Sequence, residues 1–337
     1  MSENLDPIAP EAAVDLYLDH RRDEVAEETL QSHRYRLEAF VEWCDENGIT
    51  NMNEIGGRNL HAYRVHRRDE HDLTAMTLQG QLSTLRVFLG FCASIDAVPE
   101  NLRDKVLLPS VRGEEQVRED FLSTEEAESI LDYLHKYEYA SRAHVILLLA
   151  WQTGLRTGGI RTIDLDDYDP DAPGVELRHV PGETPLKNGH GGERWVALRE
   201  TTAEVVNDYI ADQRIDIRDD YGREPLLTTQ QGRPATGTIR NTVYRWSRPC
   251  VYSDECPHDR EPRKCEATGH YGASKCPSSV APHDVRSGAI TAHLLDDVPI
   301  EVVSDRMDVS DDVLDRHYDR RSEREKMEQR REYLNNA

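Results

Sequence analysis

A chain of 337 residues has room for about two domains and a sizeable core. Its 64 Asp and Glu against 41 Lys and Arg give a formal net charge of −23, a balance that ordinarily argues against nucleic-acid binding because phosphate contacts want a basic surface. The opening MSENLDPIAPEAAV lacks the basic start and long apolar run of a signal peptide, and Val145 to Trp151 is too short to span a bilayer, which predicts a cytoplasmic protein with no membrane partner.

Residues 9 to 95 predict an all-helical unit. Ala13, Val14, Leu16, Tyr17 and Leu18 mark a first helix; Leu30, Tyr35, Leu37, Phe40, Val41 and Trp43 recur at helical spacing in a second, which Gly48 ends. A third covers roughly 57 to 67, and a fourth, 74 to 93, carries Leu78, Leu82, Leu85, Phe88 and Leu89 on its apolar side. The polar sides of the second and fourth helices hold Arg34, Gln79, Gln81, Thr84 and Arg86, side chains suited to DNA phosphate contacts. A plain solvated helix face is the other reading.

Pro99, Pro109 and Gly113 among charges punctuate the next stretch, so the expected division is a domain at 1–110, a linker at 111–120 and a second domain at 121–337. Ser123 and Glu126 have capping-box spacing and predict a helix start, with a further helix from about 140 to 152. Two strands are predicted at 174–180 and 184–198 around a turn-rich hairpin, then helices at 201–217 and 237–246.

Residues 249–281 read as an insertion holding Cys250, Cys256, Cys265 and Cys276 together with His258 and His270. The stretch has no core periodicity, so a structural zinc on the four cysteines is the first expectation in a reducing compartment. Disulfides and plain thiols are the alternatives. Cys44 and Cys92 lie in apolar helical runs and are expected in the core.

The stretch from Pro282 to Tyr318 organises the rest. His283 and Arg286 open it, Tyr318 closes it, and two apolar helix-like runs lie between. A cationic pair with a phenol suits phosphoryl transfer through a phosphotyrosine: the Arg cradles phosphate and the Tyr attacks it. An HxxR match alone is weak, since the chain has four, at His33, His61, His283 and His317. Order and context must promote one of them.

That context is a resemblance. WQTGLR, residues 151–156, with the exit IDLDDYD, resembles the first arginine box of the tyrosine recombinase (phage integrase) family, and HDVR and SDRMDVSDDVLDRHY resemble its later boxes. The resemblance implies a mainly α fold with a small β-sheet: an N-terminal helical, SAM-like core-binding domain and an α+β catalytic domain that clamp double-stranded DNA. It implies Arg156, Lys187, His283, Arg286 and Tyr318 as the catalytic set. Lys187 protonates the leaving oxygen, with Arg194 the competing candidate.

No cofactor is implied for catalysis. A homotetramer on paired sites is implied, monomer or dimer when free. The chain departs from the pattern twice: Gly159 stands where an acid usually braces the first arginine, and Val309 where a His or Trp usually precedes the nucleophile by nine residues. A catalytically impaired DNA-binding protein and a type IB topoisomerase-like nicking-closing enzyme therefore stay open beside the recombinase reading.

The composition fits this despite its acidity. Only six of the basic residues are Lys, and the acid-rich, Arg-over-Lys balance resembles that of proteins from salt-in halophilic archaea. In molar salt the Debye length falls to about 3 Å, so overall repulsion is screened while short-range Arg–phosphate contacts survive.

Overall fold

The computed structural model describes residues 5–69, 73–110, 121–253, 255–269 and 272–318, with 324, 327, 328 and 331 beyond them. The predicted linker and most of the tail after Tyr318 lie outside these. The chain divides into two compact units, Met1–Val117 and Arg118–Ala337.

The first unit is helical. α1 (Pro10–Arg21) begins on a proline, whose fixed φ suits a first turn, and buries Ala13, Val14, Tyr17 and Leu18. α2 (Glu27–Glu46) buries Leu30, Leu37, Phe40, Trp43 and Cys44 on one stripe. Gly48 at φ 66° turns the chain after it. α3 (Gly57–Asp69) and α4 (Ala75–Ser94) complete the unit, the latter started by the Thr74 hydroxyl, which accepts from Thr77 N at 3.3 Å. Phe40 and Trp43 each meet Tyr63 edge to face at the centre, with centroids 5.3 and 5.5 Å from its ring.

The second unit starts with the expected capping box, Ser123 and Glu126, at the head of α5 (Thr124–Tyr137). α6 (Arg142–Thr153) is apolar nearly all round and accordingly central. It packs against α5, against α9 (Thr236–Trp246) and against α11 (Pro282–Leu295). Where α11 passes under the chain leading into α5, Gly288 leaves no space for a side chain: a Cβ there would sit 2.1 Å from the Leu122 carbonyl oxygen.

Between α7 (Thr157–Thr162) and α8 (Glu200–Asp208) lies a three-stranded antiparallel sheet in the order β1 (Tyr168–Asp169), β2 (Gly174–Leu177), β3 (Arg194–Ala197). Val175 pairs with Val196. The strands are shorter than predicted because Gly182 and Gly189 take positive φ and a 3-10 turn, Gly189–Gly192, interrupts the ladder. The helix expected to reach residue 217 ends its α portion at Asp208 and closes in a π turn, Tyr209–Gln213. There Arg214 N bonds Tyr209 O at 2.7 Å and its side chain turns to Pro225 O.

After the short α10 (Pro249–Tyr252) comes the cysteine-rich segment. The zinc expected on Cys250, Cys256, Cys265 and Cys276 is overturned. Among the described residues no three His, Cys, Asp or Glu side chains are grouped so as to hold a metal, and all four cysteines are free and only half-buried.

Backbone turns close the segment instead. Three 3-10 turns follow one another at Pro262–Lys264, Glu266–Thr268 and Ala273–Lys275, and the Arg248 guanidinium donates to Ala267 O beneath them. Val280 N reaches Ser247 Oγ at 3.0 Å, and His258 Nε2 is paired with Ser278 Oγ at 2.9 Å. Helices α11, α12 (Ile300–Met307) and α13 (Asp311–His317) end the unit.

Candidate active site

Arg156 is placed by the way α6 stops. Gly154 follows its last turn in the left-handed region (φ 60°, ψ 19°), reversing the chain so that Arg156 becomes the N-cap of α7. The guanidinium of Arg156 donates to the Asp308 carboxylate through one nitrogen and to the Asp308 carbonyl at 3.0 Å through the other. Gly159, where the family places its bracing acid, is buried, and the nearest atoms to a Cβ there would be those of Leu155 and Leu177, at 3.7 and 4.0 Å.

Arg286 projects from the second turn of α11 and is 3% exposed. It donates to Gly154 O at 2.6 Å and to Asp308 O at 3.3 Å, so both arginines share one carbonyl. Burial and the neighbouring Arg156 push the Arg286 guanidinium down to about 10, while Tyr318 and Asp308 pull it back up. It stays charged at neutral pH. His283 lies one turn earlier. Partial loss of hydration and the adjacent Arg286 lower its pKa, with Lys187 and Arg156 adding to the fall and Asp284 opposing it, although the residue as a whole stays exposed. A neutral imidazole, able to accept a proton, results at pH 7.

Lys187 is exposed on the hairpin and lines the same small cavity, of about 20 Å³, as Arg156, Arg194, Arg286 and Asp308. Its competitor Arg194 is committed elsewhere, donating to Arg306 O at 2.9 Å and Gly192 O at 2.7 Å. An open cleft of about 500 Å³ adjoins, bounded by Arg156, Asn188, Arg194, Ser304, Asp308 and Val313 among others.

Tyr318 caps the C-terminus of α13 and is 9% exposed. It packs with Ile290, Leu294, Val303, Met307, Val309 and Leu314, and it is near enough to Arg286 to favour that group's charge. Val309 thus contributes packing where a hydrogen-bond donor was expected. The cavity gathers Arg156, Lys187 and Arg286; His283 and Tyr318 adjoin it through Arg286.

Asp308 and Asn188 escaped the sequence reading. Asn188 Nδ2 donates to Asp308 Oδ1 at 2.7 Å. The available signal was an Asp immediately before Val309, a residue type that tolerates the left-handed turn ending α12, where Asp308 has φ 52°.

In the first unit the predicted DNA-contacting set separates. Arg34 is exposed, its nearest acid Asp15 at 3.9 Å, and Gln79 and Arg86 are half-buried. Gln81 and Thr84 do not lie on an exposed face. Gln81 Oε1 accepts from Arg67 Nε at 3.1 Å and Thr84 Oγ1 from Arg36 at 3.0 Å, satisfying guanidiniums that would otherwise be stranded against the core.

Comparison with known proteins bears on this arrangement. The family described as phage integrase, N-terminal SAM-like domain, matches residues 14–94. Tyrosine recombinase XerD of Mycobacterium tuberculosis is 28% identical over 217 residues, 60% of this chain and 65% of that protein's own length. The N-terminal domain of a phage integrase/site-specific recombinase from Haloarcula marismortui is 41% identical, covering 31% of this chain and 99% of that one, with a TM-score of 0.30.

The Tn1549 transposon integrase, solved in complex with transposon right end DNA, superposes with a TM-score of 0.68 at 14% identity, covering 97% of this chain and 100% of that one. At that identity the likeness is one of fold. Among the described residues no helix is long and apolar enough to cross a membrane. Sequence and structure point to the tyrosine recombinase/phage integrase superfamily.

Proposed function

We propose that this chain is an integrase-like site-specific DNA recombinase that cuts and rejoins double-stranded DNA through a 3′-phosphotyrosyl intermediate. One observation carries the reading. Arg156, Lys187 and Arg286, from three separate elements, line one cavity, and Tyr318 lies beside the most buried of them.

In the forward step the Tyr318 oxygen attacks phosphorus, passing its proton to the neutral His283. The P–O5′ bond breaks, and Lys187 gives a proton to the departing oxygen. Arg156 and Arg286 hold the non-bridging oxygens as charge concentrates on them. An incoming 5′-hydroxyl reverses the sequence. Because the phosphotyrosyl link preserves the energy of the phosphodiester, rejoining needs no nucleotide triphosphate.

Arg34, Gln79 and Arg86 are the backbone contacts expected of the first unit, and a homotetramer on paired sites is the expected assembly. The test is covalent trapping on nicked suicide DNA. Wild type should form a protein–DNA adduct and Tyr318→Phe none. Absence of an adduct with wild type leaves a DNA-binding protein. Adducts and relaxation without recombined product from paired sites leave a nicking-closing enzyme.

A further inference from the structure

Among the described residues Asp308 is the one acid lining the small cavity shared by Arg156, Lys187 and Arg286, and the catalytic scheme gives it no task. Its carboxylate takes Arg156 on one oxygen and Asn188 on the other, while its main-chain carbonyl takes both Arg156 and Arg286. One residue thereby ties the first arginine, the second arginine and the hairpin that carries Lys187. Its side chain is 17% exposed, where a charge-assisted bond outweighs a neutral one.

The donor count leaves work for the arginines. A guanidinium has five N–H groups. Among the described residues Arg156 and Arg286 each give two of theirs to these contacts, so the cradle's other N–H groups are available to an oxyanion. An acid in this position fixes the fork without exhausting it. The family's usual brace, three residues after the first arginine, is replaced by Gly159, which borders the same cavity.

We propose that Asp308 is the positioning residue of the phosphate cradle, performing from α12 the bracing that an acid at position 159 performs elsewhere in the family. The inference rests on the reading of Arg156 and Arg286 as phosphate ligands. Three variants of the full chain test it: Asp308→Asn, Asp308→Gly and the double variant Asp308→Gly with Gly159→Asp. Glycine and asparagine tolerate a φ of 52°, so both single variants keep the turn. Position 159 has ordinary van der Waals room for a Cβ, and it is the third helical residue after Arg156, the N-cap of the same helix.

The first readout is affinity for inorganic phosphate, measured as thermal stabilisation against chloride at equal ionic strength. The second is the rate of covalent adduct formation on nicked DNA. Removing the charged brace should weaken phosphate binding about ten- to a hundredfold in both single variants, and moving the acid to position 159 should restore about tenfold or more. A purely structural role for Asp308 does not predict rescue by a carboxylate on a different helix. Unchanged or tighter phosphate binding in Asp308→Gly overturns the proposal, since the carboxylate is then an occupant of the cradle. So does failure of the double variant to recover. Should wild type bind phosphate in this pattern yet form no adduct, the recombinase reading fails while the brace stands.

Discussion

Gly154→Ala should be costly, and the structure divides the cost into two parts. The backbone there is left-handed, φ 60°, which burdens an alanine by about 1–2 kcal/mol. The added carbon would also lie 2.7 Å from Met307 Sδ and 3.0 Å from its methyl. Met307 is fully buried, so its yielding presses on Leu314 and Tyr318, in the manner of an overpacked core at about 1–3 kcal/mol. Together these predict a loss of about 2–5 kcal/mol, or roughly 5 to 15 °C in the melting temperature of a unit of this size.

A double-mutant cycle with Met307→Ala separates the parts. In that background only the backbone term remains, so Gly154→Ala should cost about 1–2 kcal/mol, a coupling of about 1–3 kcal/mol. Thermal or urea unfolding of the four proteins measures it. A coupling near zero would refute the idea that this glycine is required for its close approach to Met307 as well as for its φ. Because Arg286 donates to Gly154 O at 2.6 Å, the single variant should also weaken phosphate binding.

His144 is buried, its Nδ1 accepting from Ala140 N at 3.3 Å, and burial, with His135 nearby, lowers its pKa to about 4. The unfolded chain therefore binds this proton more readily than the folded one. Stability should be unaffected above about pH 6.5, fall as pH drops from there towards 4, and lose roughly 3 kcal/mol in all; His144→Gln should flatten that part of the unfolding profile. Cys44 and Cys92 are buried and pushed up to about 12, leaving almost no thiolate at pH 8. A disulfide reagent should titrate no more than the four thiols at Cys250, Cys256, Cys265 and Cys276 in the native protein and all six after denaturation. Fast reaction of a fifth thiol would contradict the packing of α2 and α4.

Helices were the easiest elements to read because their signals are local. The stripes on α2 and α4, the Ser123 capping box and the glycine after α6 each lie within a few residues of what they determine. The zinc expectation failed for the opposite reason. Four cysteines in 27 residues satisfy a compositional rule, but ligation needs convergence, and the turns that shape 249–281 are held by contacts such as Arg248 to Ala267 and Val280 to Ser247. Gln81 and Thr84 look like surface polar residues in a helix. Only the approach of Arg67 and Arg36 from other helices draws them inward.

Taken by itself, the order of residues determined a mostly helical fold with a small sheet, the identity of Arg156, Lys187, His283, Arg286 and Tyr318 as candidates, and the absence of the usual acid at position 159. Tertiary structure decided what holds the first arginine instead, because Arg156 and Asp308 are 152 residues apart. No periodicity or spacing rule reports a contact made only when α12 folds back over the end of α6, and the carboxylate meets its guanidinium there because a half-buried cation that has lost part of its hydration is stabilised by an acid wherever the fold can supply one.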